Sequence, residues 1–145
     1  MKYLMYAFVA VAPFVISCGD DDDNSEMELE SKTFALDELN DSGVMGTAVF
    51  TKVNDSTTNV LVTVEGTEDG NMHPIHIHEG EPEDGGGVVV ALTDVDGATG
   101  ISETEVTMLS GEPVTYEQLI AYDGYINIHK STDEIATLVA QGDLN

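Results

Sequence analysis

Two short segments of this chain alternate isoleucine with a polar residue, and that alternation restricts its fold more than any other feature. The first is His73-Pro74-Ile75-His76-Ile77-His78-Glu79-Gly80, and the second is Tyr125-Ile126-Asn127-Ile128-His129. Successive side chains on a strand point to opposite faces, whereas a helix repeats every 3.6 residues. A period of two is a strand period, with Ile75 and Ile77 on one face and His76 and His78 on the other. Isoleucine is driven from water, so its face belongs to a core and the imidazoles lie opposite. The second segment repeats the construction with Ile126 and Ile128 inward. Together the two segments hold all four histidines of the sequence. If these strands lie close in one sheet, His76, His78 and His129 converge on one point.

The rest of the region beyond about residue 32 reads as more strands separated by turns. Strands are expected over residues 33–39 and 46–53, the latter with Ala48 and Phe50 on one face and Thr47, Val49 and Thr51 on the other. Val60, Val62 and Val64 alternate with Leu61, Thr63 and Glu65 in a third. After the first histidine strand comes an acidic glycine loop over residues 79–87. The unbroken apolar run 88–92 is consistent with a strand buried on both faces. A weak strand follows over 101–108, and closing strands are expected over 125–129 and 136–144. Thr115 and Gln118 have capping-box spacing, which predicts one short helix near 115–121. Strand after strand with glycine turns implies an all-β Greek-key sandwich or barrel, occupying residues 32–145 as one domain.

The amino terminus reads differently. Lys2 and the apolar run 3–16 form an export signal over residues 1–17, since the run is too short for a membrane span of about 20 residues. It ends at Val15-Ile16-Ser17-Cys18, which resembles a bacterial lipobox and makes Cys18, the only cysteine, the expected site of acylation. Acyl chains there, at about 0.8 kcal/mol per buried CH₂, provide a membrane anchor without a spanning helix. Residues 18–31 then form an acidic tether, with Asp20 to Asp23 unbroken. The run resembles the signal by which some bacterial lineages send lipoproteins to the outer face of the outer membrane. The expected location is therefore the bacterial cell envelope, lipid-anchored at the outer membrane and exposed at the surface.

Charge narrows the partners. Removing residues 1–17 leaves three lysines against 28 acidic residues, a formal charge of −25, and there is no arginine. Phosphate contact needs cationic side chains, so nucleic acid is not an expected partner. A surface of this sign attracts cations and repels anions. With a single cysteine there is no internal disulfide. Asp94-Val95-Asp96-Gly97 has part of a calcium-loop pattern but lacks the distal glutamate, and is read as a turn. No Ser-His-Asp pattern and no phosphate-binding glycine loop is present, and no catalytic residue is assigned.

The order of motifs resembles the CHRD domain family, named for chordin and common in bacterial exported proteins. That family combines a His-Ile-His-x-Gly strand, an apolar run after a glycine loop, a T-x-E-Q-L helix, a Y-x-N-x-H strand and a closing glycine-containing strand. Here they stand at residues 76–80, 88–92, 115–119, 125–129 and 141–144. One departure is Gln141, where the family often has arginine. More distantly, His73-x-x-His76-x-His78 and His129 are similar to the copper-binding strands of copper/zinc superoxide dismutases. The resemblance implies a superoxide-dismutase-like β fold, with His76, His78 and His129 at copper positions. It implies that His73 braces the site without binding, and Glu79 and Asn127 are assigned with it as supporting groups. The expected cofactor is one copper or zinc ion.

Three functions follow as expectations. The first is a non-catalytic envelope protein that binds a metal ion. The second is an adhesion or interaction module, with a protein or glycan partner, in which the histidines only support the fold. The third is a dismutase-like redox enzyme. The sequence weighs against the third, because it has no further histidine cluster for a second ion, no arginine to guide an anion, and a repelling net charge.

Overall fold

The structure, a computed structural model, describes residues 29–145. The expected signal peptide (1–17), Cys18 and most of the acidic tether lie outside the described residues. Among the described residues no helix is long and apolar enough to cross a membrane.

Ten strands follow in chain order: β1 (Ser31–Glu38), β2 (Met45–Asn54), β3 (Thr57–Glu65), β4 (Met72–Glu79), β5 (Val88–Asp96), β6 (Ile101–Val106), β7 (Met108–Leu109), β8 (Glu112–Pro113), β9 (Gly124–His129) and β10 (Leu138–Asp143). Eight of them close a barrel in the order β1-β10-β9-β4-β5-β6-β3-β2, all pairs antiparallel, while β7 and β8 form a small separate hairpin. The spatial run β9-β4-β5-β6 is a Greek key, because three consecutive strands are joined by a fourth that returns beside the first. That return places β9 directly against β4, so the two Ile-alternating segments are neighbours.

Alternation does the work predicted of it in most strands. Ala48 and Phe50 of β2, Val60, Val62 and Val64 of β3, and Ile75, Ile77, Ile126 and Ile128 of β4 and β9 are all buried in one core. Phe34 meets Phe50 edge-on across β1 and β2, with ring centroids 5.0 Å apart. Each fully buried isoleucine contributes about 1.5–3 kcal/mol of transfer free energy. The one α-helix among the described residues, α1 (Tyr116–Ile120), starts at Thr115 with the expected capping box and buries Tyr116 and Leu119.

The run 88–92 corrects its expectation. It is not buried on both faces: Val88 is 53% exposed, and of the five only Leu92 is buried. A closed barrel gives every strand one face toward solvent or loops. Two register shifts against β4, between Ile77/His78 and between His73/Ile75, further break the alternation of β5. An unbroken apolar run in this position is a bulged strand with a partly covered outer face.

Candidate metal centre

The site stands on the outside of the barrel, over β4 and β9. Register sets Ile75 against Ile128 and Ile77 against Ile126 on the core side. The outer side of the same ladder sets His76 against Asn127 and His78 against Tyr125, with His129 one step beyond Asn127. His129 is therefore diagonal to His76, within reach of a long side chain across an antiparallel pair.

Two connecting loops close over this face and each holds one imidazole. Residues 80–87 carry a short 3-10 turn (Pro82–Asp84), and the loop is closed by the Glu79 N–H donating to the Gly87 carbonyl at 3.0 Å. From it the Gly86 carbonyl accepts the Nδ1–H of His78 at 2.8 Å. The connection from β9 to β10 offers the Ile135 carbonyl, which accepts the Nδ1–H of His129. Both acceptors are carbonyls, so in the neutral rings the proton sits on Nδ1 and the Nε2 lone pair is left free. Tyr125 stacks on His78 with ring centroids 5.1 Å apart and planes 13° from parallel, which sets the ring's tilt.

The third ring closes the group. His76 Nδ1 lies 3.0 Å from His129 Nε2. One nitrogen from each of His76, His78 and His129 falls within 4.8 Å of the others. The Nε2 of His78 is shut off from solvent and has no hydrogen-bond partner. Burial holds His76 below the usual imidazole pKa, the nearby His129 and His78 rings add to this, and Asp94 opposes it. Burial also lowers the pKa of His129, with its hydrogen bond to Ile135 opposing and His78 adding. Both shifts favour the neutral form of His76 and His129, the form that binds metal.

The donor set fits an ion of the kind expected. Three neutral imidazole nitrogens suit copper or zinc and leave a further coordination position open. Two of the three rings have their other nitrogen tied to backbone carbonyls, the arrangement that orients metal-binding histidines. An orphaned, sealed nitrogen on His78 is consistent with a missing ligand rather than with a finished hydrogen-bond network.

The supporting residues divide. His73 is buried beneath the site, and its Nδ1 donates to the backbone carbonyl of His129 at 3.2 Å. Asn127 lies on the same outer face, and its side-chain oxygen accepts from Gln141 at 2.8 Å. The Glu79 side chain is exposed, and only its backbone closes the loop. Gly86, Ile135 and Tyr125 are the residues that pattern reading passed over. Tyr125 shares parity with Asn127 and His129 and was legible on that ground, but no side-chain signal marks a backbone carbonyl as a histidine's partner.

Comparison with known proteins agrees with this architecture. The family model of the CHRD domain matches residues 28–134. Among curated proteins none matches the chain. Among solved structures, a point mutant of Candida albicans superoxide dismutase 5 superposes with a TM-score of 0.55 at 17% identity, covering 80% of this chain and 88% of that one. At that identity the likeness concerns the fold alone.

Proposed function

This chain belongs to the CHRD domain family, and from that membership and its three converging imidazoles we propose an exported, lipid-anchored envelope protein that binds one copper or zinc ion without turning over a substrate. The observation that carries the metal reading is the meeting of three histidine nitrogens within 4.8 Å, on rings two of which are held through their other nitrogen by loop carbonyls. His76, His78 and His129 would hold the ion, and Asn127 and His73 would steady the strands and backbone that present them. When bound, the ion supplies a Lewis-acidic centre with an open position. The reading as non-catalytic rests on charge: an anion such as superoxide meets a processed protein of formal charge −25, and the chain has no arginine to draw it in.

A second reading has an observation of its own. The His76–His129 contact at 3.0 Å satisfies one nitrogen on each ring without any ion, as in an interaction module whose histidines serve the fold. Thermal denaturation of wild type, His78→Ala and His129→Ala, each with and without Cu(II) or Zn(II), separates the two. An ion that binds only the folded state raises the melting temperature by mass action. Stabilisation in wild type that vanishes in both variants supports the metal centre. A wild-type curve indifferent to both ions returns the histidines to the fold. An activity assay on the metal-loaded protein tests the claim that no superoxide is turned over.

A further inference from the structure

Two of the three imidazoles at the candidate centre are held through the nitrogen that faces away from it, His78 by the Gly86 carbonyl and His129 by the Ile135 carbonyl. His76 is the exception. It turns Nδ1 into the cluster, 3.0 Å from His129 Nε2, and its own Nε2 has no hydrogen-bond partner among the described residues. For His76 to ligate through Nδ1, the one hydrogen of the neutral ring must sit on Nε2. That N–H then needs an acceptor, the outer partner that metal-binding histidines almost always have.

The fold supplies a carboxylate on that side of the ring. Strand β4 lies between β9 and β5. Nδ1 of His76 is turned toward β9, so Nε2, across the ring, lies on the β5 side. On β5, Leu92 and Val95 are both buried in the core, and two residues stand between them where a regular strand has one. The register shows the same extra residue, since Ile75 pairs with Leu92 and His73 with Val95. This β-bulge puts Thr93 and Asp94 together on the outer face, the one that carries the imidazoles. They stand beside Pro74, and His129 flanks the same proline from β9. Asp94 is therefore diagonal to His76 across β4 and β5, as His129 is across β4 and β9.

Asp94 is half-buried and has no other employment. Its neighbour Asp96 accepts the Ala98 N–H at 2.8 Å, whereas Asp94 accepts no hydrogen bond among the described residues. The lysines there are engaged elsewhere: Lys32 donates to the Ile120 carbonyl, Lys52 pairs with Glu117 and Lys130 with Glu134. Burial sets the low pKa of His76, the His129 and His78 rings add to it, and Asp94 is the one carboxylate that acts in the other direction. We propose that Asp94 is the positioning residue for His76, its carboxylate accepting the Nε2–H when His76 ligates an ion through Nδ1. This role presupposes the metal centre. It gives all three imidazoles an outer acceptor, two from loop backbone and one from a bulged strand.

The test is histidine ¹⁵N NMR of the full chain titrated with Zn(II), together with Zn(II) affinity by chelator competition, in wild type, Asp94→Asn and Asp94→Ala. In wild type Zn(II) should move the His76 hydrogen from Nδ1 to Nε2 and leave that N–H as a low-field resonance in slow exchange with water. In Asp94→Ala the resonance should move upfield and exchange rapidly, and affinity should fall about 10- to 100-fold. Asp94→Asn keeps the shape of the side chain and an acceptor oxygen, so it should lose less, and it decides the matter if the alanine variant fails to fold. Both losses should persist in about 1 M salt, where the Debye length is about 3 Å and a general charge effect is screened. If wild type takes up Zn(II) but the His76 Nε2–H resonance is the same in all three proteins, water is the acceptor and the role of Asp94 is overturned. An affinity loss that salt abolishes overturns it as well. If Zn(II) moves no histidine resonance in wild type, the metal centre itself fails and this role fails with it.

Discussion

His76 and His129 meet ring to ring, Nδ1 of the first 3.0 Å from Nε2 of the second, although 53 residues separate them in the chain. Because the Nδ1–H of His129 is held by the Ile135 carbonyl, the hydrogen between the rings belongs to His76. Were His76 and His129 to hold an ion through these two nitrogens, His76 would have to carry its ring proton on Nε2 instead. Metal binding at these rings, as proposed, would therefore compete with an internal hydrogen bond.

The first prediction follows from the neutral rings. Burial lowers the folded-state pKa of His76 and His129 below the usual imidazole value. The unfolded chain then binds more protons than the folded one below about pH 6.5, so stability from these groups is present above that pH and is lost as pH falls toward the folded values. Urea denaturation of the metal-free protein should show a midpoint that declines from about pH 7 to about pH 5. Metal affinity should decline over the same range, because protonated imidazole is no ligand. A midpoint that rises on acidification would refute the assignment.

The second concerns the loop that holds His78. A Cβ on Gly86 would stand 1.7 Å from the Glu79 carbonyl oxygen, so Gly86→Ala forces the loop to shift and takes the Gly86 carbonyl away from His78 Nδ1. Affinity for Cu(II) or Zn(II), measured by competition with a chelator, should fall about 10- to 100-fold. At Gly87 the added Cβ meets only the far end of the Glu79 side chain, at 3.2 Å, and Gly87→Ala should bind nearly as wild type. Equal loss in both variants would mean that the loop matters only as a whole.

The third separates the platform from the ligands. Ile77 and Ile126 are registered partners beneath the site, and both are fully buried. Replacing either with Ala should cost about 2–5 kcal/mol in denaturant unfolding, through lost transfer energy and the cavity left behind. At a temperature where each variant is still folded, metal should stabilise it by nearly the wild-type increment. A variant that folds but no longer responds to metal would show that the isoleucines set the imidazole geometry as well as the core.

The fourth tests the anchor, which depends on residues outside the described ones. Cys18→Ser should leave the precursor unlipidated and release the protein from membranes, because acyl chains are the proposed attachment. Fractionation of cells after a high-salt wash reads this directly. Persistent membrane association of the serine variant would require another anchor. Replacing Asp20 to Asp23 with Ala, followed by protease treatment of whole cells, tests surface exposure separately.

Much of the site was legible because side-chain direction on a strand is a local property. Given a period of two, Ile75 and Ile77 must oppose His76 and His78 whatever the rest of the chain does, and Ile126 and Ile128 must oppose Asn127 and His129. The capping box at Thr115 and Gln118 is local in the same sense, since four consecutive residues contain every group that takes part. The all-β class followed from repeated alternation and turns. The three ligand positions within the histidine strands also came from resemblance to a family whose motif order the chain repeats.

Other features depend on contacts that no local pattern encodes. That β9 lies against β4 is a consequence of the Greek-key return, and the register of that pairing places His129 diagonal to His76 rather than opposite it. The run 88–92 looked doubly buried because apolarity is visible in a sequence while the bulges that turn Val88 outward are not. The Gly86 and Ile135 carbonyls that orient His78 and His129 belong to the backbone, and every residue has one. By itself the sequence determined which face each imidazole takes. Only the tertiary structure decided that the three faces meet, because strand pairing across 53 residues is settled by the packing of the whole core.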